Sequence, residues 1–223
     1  MHRLKVPTLL SAFITLLNDR LGETIVFPLL PFLLGRFTNS GSTLGLLAGT
    51  YAISQFAAAP LIGALSDRFG RKPVIITCVT GSVIGLSMFA LTVSLNWNAL
   101  LPIWATSLPL LLLFLARVID GISGGTAATA TAVLADISTP ENRAKTFGLI
   151  GVAFGLGFVL GPGFGTALAK FSVTLPVWAA TAFAIANLIL VIWILPETLP
   201  AQKRTSLPKK RELNPFSQLS FVF

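Results

Sequence analysis

The sequence predicts an all-α, polytopic membrane protein with six transmembrane helices, and three observations predict it. Of 223 residues, 54% are hydrophobic and only 11% charged, against roughly 25% charged in soluble domains, so a water-soluble core of this size would lack a charged surface to cover it. Six apolar runs are long enough to cross the ~30 Å hydrocarbon layer, which takes about 20 helical residues at about 1.5 Å each. The runs are continuous and rich in Leu, Ala and Gly, unlike the short alternating segments of a β-barrel. The expected spans are 8–34, 44–65, 73–95, 108–135, 147–169 and 175–195.

Charge placement orients the spans. With the amino terminus inside, the cytoplasmic pieces hold Arg3, Lys5, Arg68, Arg71, Lys72, Arg143, Lys145, Lys203, Arg204, Lys209, Lys210 and Arg211, twelve of the sixteen bases, and the outer loops hold Arg36 and Lys170. That bias follows the positive-inside rule and places both ends of the chain on the cytoplasmic side of a cell (inner or plasma) membrane. It also accounts for the net charge of +8 without nucleic acid, because the bases are scattered over four short pieces instead of forming one soluble face. Trp97, Trp104 and Trp178 fall near outer helix ends and Trp193 near an inner one, as interfacial anchors should. The first run continues through "NDRLGETIVFPLLP" with no small-residue cleavage site, so no cleaved signal peptide is expected. Cys78 is the single cysteine and is expected to be a small buried hydrophobe.

Proline and glycine mark places where the spans bend or approach one another. Pro28 and Pro31 lie near the outer end of the first, and Pro162 lies among Gly155, Gly157, Gly161, Gly163 and Gly165 in the fifth; such residues serve tight packing, bending, or both. Between the fourth and fifth spans, "DISTPENRAK" offers Ser138, Pro140 and then Glu141, a capping-box spacing that predicts a short helix there. After Leu195 the composition changes to "PETLPAQKRTSLPKKRELNPFSQ", with four prolines and five bases. The expected organisation is a six-helix bundle over 1–195 and a basic cytoplasmic linker over 196–223 leading to a second half, with a six-span unit that dimerises as the alternative.

Five ionisable residues fall within the spans: Asp19, Arg20 and Glu23 in the first, Arg117 and Asp120 in the fourth. Each would cost at least ~2.5 kcal/mol facing lipid at mid-bilayer, so they are expected to face one another or a watery cavity. Arg20 with Glu23, and Arg117 with Asp120, are i,i+3 neighbours, so each base has an acid on its own helix face. Asp19 is left over. Burying an unpaired carboxylate is unfavourable, and such a group is expected to exchange a proton with water. Asp19 is the expected proton carrier, followed by Glu23 and Asp120; a static polar network joining two helices is the alternative.

One short connection resembles a known signature. "GALSDRFGRKP" looks like the loop between the second and third helices of the major facilitator superfamily, matching at Gly63, Leu65, Asp67, Arg68, Gly70, Arg71 and Lys72. "DRLGETIVFPLLP" resembles the first helix of the tetracycline-resistance and drug-proton antiporter branch, with Asp19 and both prolines at matching spacing. "ARVIDGISGG" is similar to the fourth-helix motif through Arg117 and Gly121, and "GLGFVLGPGFG" to the fifth-helix antiporter motif through Gly157, Gly161, Pro162 and Gly165, with Thr166 departing from its second closing glycine. "LADISTPENRAKTFG" and "LPET" also fit.

That resemblance implies the first half of a twelve-helix transporter that works by alternating access. Each six-helix half would consist of two inverted three-helix repeats, with the first and fourth helices at the central cavity. It implies protons, a small-molecule substrate, the lipid bilayer and a C-terminal six-helix half as partners, and no nucleic acid. Proton-coupled antiport, exporting small amphipathic compounds such as drugs or tetracycline-like molecules, is the activity it implies; proton-coupled symport or facilitated transport of a small solute is second. Tyr51, Gln55, Thr126 and Phe154 are expected to line the cavity. In the signature loop, Gly63 is expected to permit close helix approach and Gly70 a backbone shape that other residues resist. Asp67, Arg68, Arg71 and Lys72, with Asp136 and Arg143, are expected to latch the inner face by ionic contacts; the alternative is that the bases only enforce topology.

Other classes fit less well. "GISGG" matches G-x-S-x-G at Ser123, as in six-helix intramembrane serine proteases of the rhomboid type, but the one histidine is His2, near the amino terminus, and a histidine base is required. The sequence has no H-E-x-x-H or paired-cysteine metal pattern, so no enzyme activity, metal or cofactor is expected. Nothing resembles a channel's selectivity filter, and buried acid–base pairs suit a carrier better.

Overall fold

In the computed structural model, residues 5–104 and 106–205 are described. Arg3, Lys209, Lys210, Arg211 and the linker beyond Thr205 lie outside the described residues. The chain is all-α: α1 (Lys5–Val26), α2 (Leu30–Leu34), α3 (Gly41–Phe69), α4 (Arg71–Ser94), α5 (Trp97–Leu100), α6 (Ser107–Ser123), α7 (Thr126–Asp136), α8 (Arg143–Ala169) and α9 (Leu175–Trp193).

Among the described residues, five segments are long and apolar enough to cross a membrane: α3, α4, α6 and α7 taken together (Ser107–Asp136), α8 and α9. The remaining expected span, the first, made of α1 with the turn and α2, meets the length but carries Asp19, Arg20 and Glu23 close together. It packs among the other helices, against α7, α8 and α9, so its charges are turned inward. Exchanging the first three spans with the last three carries the packing of α1 on α8 into that of α6 on α3. The same exchange carries α1 on α9 into α6 on α4, and leaves the contact of α4 with α9 in place. The two three-helix repeats are thus visible in the packing itself.

Local chemistry sets the helix limits. Pro28 has no N–H to donate, and the chain passes from α1 into a 3-10 turn, Phe27–Leu29, before α2 resumes. At Ser40 the side chain accepts the Thr43 N–H at 3.4 Å, which opens α3. The fourth span breaks at Gly124–Gly125, where ψ is −1° and −7°, so α6 and α7 are separate helices; the sequence reading had one continuous span. Pro162 does not break its helix, and α8 runs through it.

The expected capping box is not formed. Ser138 turns its hydroxyl back to the Leu134 carbonyl of α7 at 2.5 Å, and Thr139 N–H donates to Asn142 Oδ1 at 2.8 Å. Residues 137–142 are therefore turn, and the next helix starts at Arg143.

The apolar core is divided into two large clusters with a polar layer between them. One holds Ile25, Leu86, Ala116 and Ala180; the other holds Leu16, Val79, Ala130 and Val191. Along each of four spans the residues between those marks include a polar one: Asp19 on α1, Ser82 on α4, Asp120 on α6 and Asn187 on α9. Cys78 is buried in a third small cluster with Ala58, Ile62 and Val74, as expected.

Candidate functional site

The polar layer encloses a cavity of about 30 Å3 lined by Asn18, Asp19, Gly22 and Glu23 of α1, Tyr51 of α3, Val79, Ser82 and Leu86 of α4, Asp120 of α6, and Ala184 and Asn187 of α9. Room on that scale suits a water molecule, which needs roughly 10–15 Å3 and two to four polar partners. Three carboxyl groups reach it from two helices.

Arg20 binds both acids of its own helix. Its Nη2 lies 2.6 Å and its Nε 3.2 Å from Asp19 Oδ2, and its Nη1 lies 2.5 Å from Glu23 Oε2. The guanidinium also sits 5.0 Å from the Phe154 ring centroid, on α8. The spacing had paired Arg20 with Glu23 and left Asp19 over; in the structure Asp19 shares the same base.

The second pair is looser. Arg117 Nη1 stands 3.7 Å from Asp120 Oδ2, and the guanidinium rests 4.7 Å from the Phe89 ring and 5.9 Å from Tyr51. Its Nε is buried without a hydrogen-bond partner among the described residues. One base thus serves two acids tightly while the other holds its acid at the limit of ion pairing.

Of the four expected cavity residues, Tyr51 lines the cavity. Phe154 is the platform beneath Arg20. Gln55 Nε2 lies 3.3 Å from both Tyr51 Oη and the Gly124 carbonyl, so it joins α3 to the break in the fourth span. Thr126 is 1% exposed, donates its hydroxyl to the Ser123 carbonyl at 3.2 Å, and does not line this cavity. Asn18, Ser82 and Asn187 also line it, and their neutral side chains carry no charge to mark them in the sequence. In the sixth span Asn187 and Thr181 stand out as polar side chains in an otherwise apolar run, which was the available signal.

The fifth-span glycines meet α1. A Cβ at Gly157 would stand 2.6 Å from Arg20 Cβ, one at Gly161 would overlap Thr24, and one at Gly165 would stand 2.5 Å from the Ile25 carbonyl. Thr24 Oγ1 lies 2.7 Å from the Arg20 carbonyl and 2.8 Å from that of Gly157. Four-residue spacing puts these glycines on one face, and that face brings α8 onto the charged stretch of α1. Pro162, beside Gly161, faces elsewhere and lines a second cavity of about 190 Å3 with Glu23, Phe27, Pro28 and Phe158.

At the opposite end of the spans, the signature loop gathers ions. Arg71, 8% exposed, contacts Asp67 at 2.6 Å, Asp136 at 3.0 Å and Ser66 Oγ at 2.7 Å. Gly70 holds φ at +106°, a conformation other residues resist. Lys72 Nζ donates to the Ile192 carbonyl at 2.8 Å, near the end of α9, where helix carbonyls favour a cation. Three expected members stand apart. Gly63 has open space where a Cβ would be, so it brings no described helix close. Arg68 is exposed and stacks on Phe69 at 5.2 Å, and Arg143 is exposed and stacks on Phe147 at 5.6 Å. Instead Glu197 joins the cluster: it accepts the N–H groups of Arg71 and Lys72 at 2.9 and 3.2 Å. Thr198 reaches Asp136 at 3.2 Å, and Thr205 N–H meets the Asp67 carbonyl at 3.1 Å. The start of the expected linker is therefore seated against the loop.

Fold and site together define a multi-pass membrane protein with a charged layer enclosed by helices. The chain belongs to the Major Facilitator Superfamily, whose family model matches residues 10–223. It is 37% identical over 211 residues to the class C tetracycline resistance protein of Escherichia coli, covering 93% of this chain and 49% of that protein. It is 33% identical over 221 residues to human major facilitator superfamily domain-containing protein 10, covering 86% and 45%. The crystal structure of the human organic anion transporter MFSD10 (TETRAN) superposes with a TM-score of 0.79 at 30% identity, over 98% of this chain and 55% of that one. The chain thus spans about half the length of the relatives it matches. Family membership puts it with transporters and not with enzymes; Ser123, the serine of the protease-like motif, donates its hydroxyl to the Ile119 carbonyl at 2.8 Å.

Proposed function

We propose that this chain is the first half of a proton-coupled antiporter that exports small amphipathic compounds, with both of its ends on the cytoplasmic side of the membrane. One observation carries the reading: the carboxyl groups of Asp19, Glu23 and Asp120, from two different spans, line a single cavity within the bundle. Among the described residues Arg20 and Arg117 are the bases beside them, so three acids meet two bases, and a proton is the smallest ion that balances the excess. Asp19 is the first candidate carrier, since both Arg20 contacts fall on Oδ2 and leave Oδ1 for a proton. The names of the tetracycline-resistance relatives support export of such compounds. Arg71, Asp67, Asp136, Lys72 and Glu197 form the inner latch, closed in one of the two shapes of the cycle and released in the other.

The test expresses the complete transporter and measures substrate-driven proton movement in membrane vesicles. Asp19→Asn abolishes coupling while the protein still inserts; undiminished coupling refutes the assignment. An anionic substrate is the second reading, favoured by the buried Nε of Arg117, which has no hydrogen-bond partner among the described residues, and by the solved relative described as an organic anion transporter. Competition of a tetracycline against an organic anion in the same vesicles separates the two.

A further inference from the structure

Asn187 is 3% exposed and its Oδ1 has no hydrogen-bond partner among the described residues. A buried acceptor left unmatched costs about 1–3 kcal/mol, so its presence asks for a donor. It lines the same cavity as Asp19, Glu23 and Asp120.

Which of the three it serves follows from packing. α9 packs directly on α1 and α4, so the carboxyls of α1 are its neighbours. Leu16 shares one apolar cluster with Val191, and Ile25 shares the other with Ala180. The two helices therefore run antiparallel, and interpolation between those marks sets Asn187 level with Asp19. Glu23 lies about one turn farther along and also borders the second cavity, beside Phe158 and Pro162. The charged and titratable groups facing this spot are Arg20 and Glu23 on α1, Tyr51 on α3, Cys78 on α4, and Arg117 and Asp120 on α6; α9 brings none, and α7 and α8 carry theirs only at their ends.

We propose that Asn187 is a positioning residue for the proton: its Oδ1 accepts a hydrogen bond from one water in the cavity, and that water in turn accepts the O–H of Asp19 when Asp19 carries a proton on Oδ1. The ionised carboxylate needs no such acceptor, because Arg20 satisfies Oδ2. The water's bond to the first span thereby reverses with the proton: it accepts the O–H of a protonated Asp19 and donates to an ionised one, while it donates to Asn187 Oδ1 in either state. This inference rests on the proton-coupling reading above and adds to it the residue that senses the load.

The experiment is infrared difference spectroscopy, acid minus alkaline, on the complete transporter in lipid vesicles. A carboxylic C=O band that vanishes in Asp19→Asn reports the protonated group. In Asn187→Leu, close in size but without an oxygen to hold the water, the water is lost and that band shifts to higher wavenumber, because a carboxylic O–H with no acceptor leaves its C=O stiffer. Asn187→Ser, which keeps an oxygen, moves it back towards the native position. Asn187→Ala replaces the leucine variant should that one not fold, with the same shift expected. An Asp19 band that stays in place in the leucine and alanine variants overturns the role of Asn187 and leaves proton coupling standing. If the native protein has no band that Asp19→Asn removes, the Asp19 reading itself fails, and this inference with it.

Discussion

Glu197 Oε1 accepts the backbone N–H of Arg71 at 2.9 Å, from a position beyond the last span. The residue that precedes α4, Gly70, has no side chain to cap the helix, and the first N–H groups of a helix carry both unmet hydrogen bonds and partial positive charge. A carboxylate from 126 residues away supplies what the local sequence lacks. Glu197→Ala is expected to cost about 0.5–2 kcal/mol, the range for loss of a helix cap, whereas Glu197→Gln keeps an oxygen acceptor and loses less. Thermal unfolding of the purified protein in detergent checks the order; an alanine variant as stable as the native protein contradicts it.

Two sets of glycines on one helix should respond oppositely to alanine. Gly157→Ala and Gly161→Ala each force α8 away from α1, where the added carbon meets Arg20 or Thr24, and overpacking of this kind costs about 1–3 kcal/mol. Gly155 and Gly163 have open space on the described side, so there alanine gains up to about 1 kcal/mol of helix propensity. Unfolding midpoints of the four single variants, ranked, decide the matter. Equal effects at all four positions would mean that the fifth span is not held by close approach to the first.

The inner latch makes a separable prediction. Arg71 is held by Asp67 at 2.6 Å and by Asp136 at 3.0 Å, one from the preceding helix and one from the end of α7. Asp67→Asn and Asp136→Asn are expected to lower transport at least tenfold with normal insertion, since neither acid is near the cavity. Arg68→Gln and Arg143→Gln, whose guanidiniums stack on exposed rings, are expected to change it less than twofold. Quantifying inserted protein alongside flux distinguishes a latch from bases that merely enforce topology: in the second case the acid variants transport normally.

How much of this was legible before the structure depends on the range of the interaction. Hydropathy reads burial along one helix, so the six runs and the inward charges of α1 and α6 were visible in the sequence. Pairing by i,i+3 spacing found Arg20 with Glu23 but not the adjacent Asp19, because side-chain length lets one guanidinium reach both. Contacts made across the fold were out of reach: Glu197 capping α4, and Thr24 seated against Gly157 and Gly161. The capping-box pattern failed for a local reason: the next helix starts at Arg143, too far along for Ser138 to cap it, and Ser138 donates back to Leu134. Asn187 went unnoticed although a lone amide in an apolar span is itself costly to bury.

Arg20 separates a working proton site from an inert scaffold. Its side chain, 7% exposed, binds Asp19 and Glu23 together and rests on Phe154. Removing one member of a buried ion cluster leaves the others unpaired and costs about 3–5 kcal/mol, while replacing the whole cluster with neutral groups of similar shape is often tolerated. Arg20→Leu is therefore expected to lower the yield of folded protein sharply, and the triple variant Asp19→Asn, Arg20→Leu, Glu23→Gln to recover most of it. Folded yield is read by size-exclusion chromatography in detergent, and coupling by proton uptake in vesicles. A scaffold of charges predicts that the recovered triple variant also transports, since the helices are again held together. Proton coupling through Asp19 predicts the reverse: a folded, inserted protein that moves no protons in exchange for substrate.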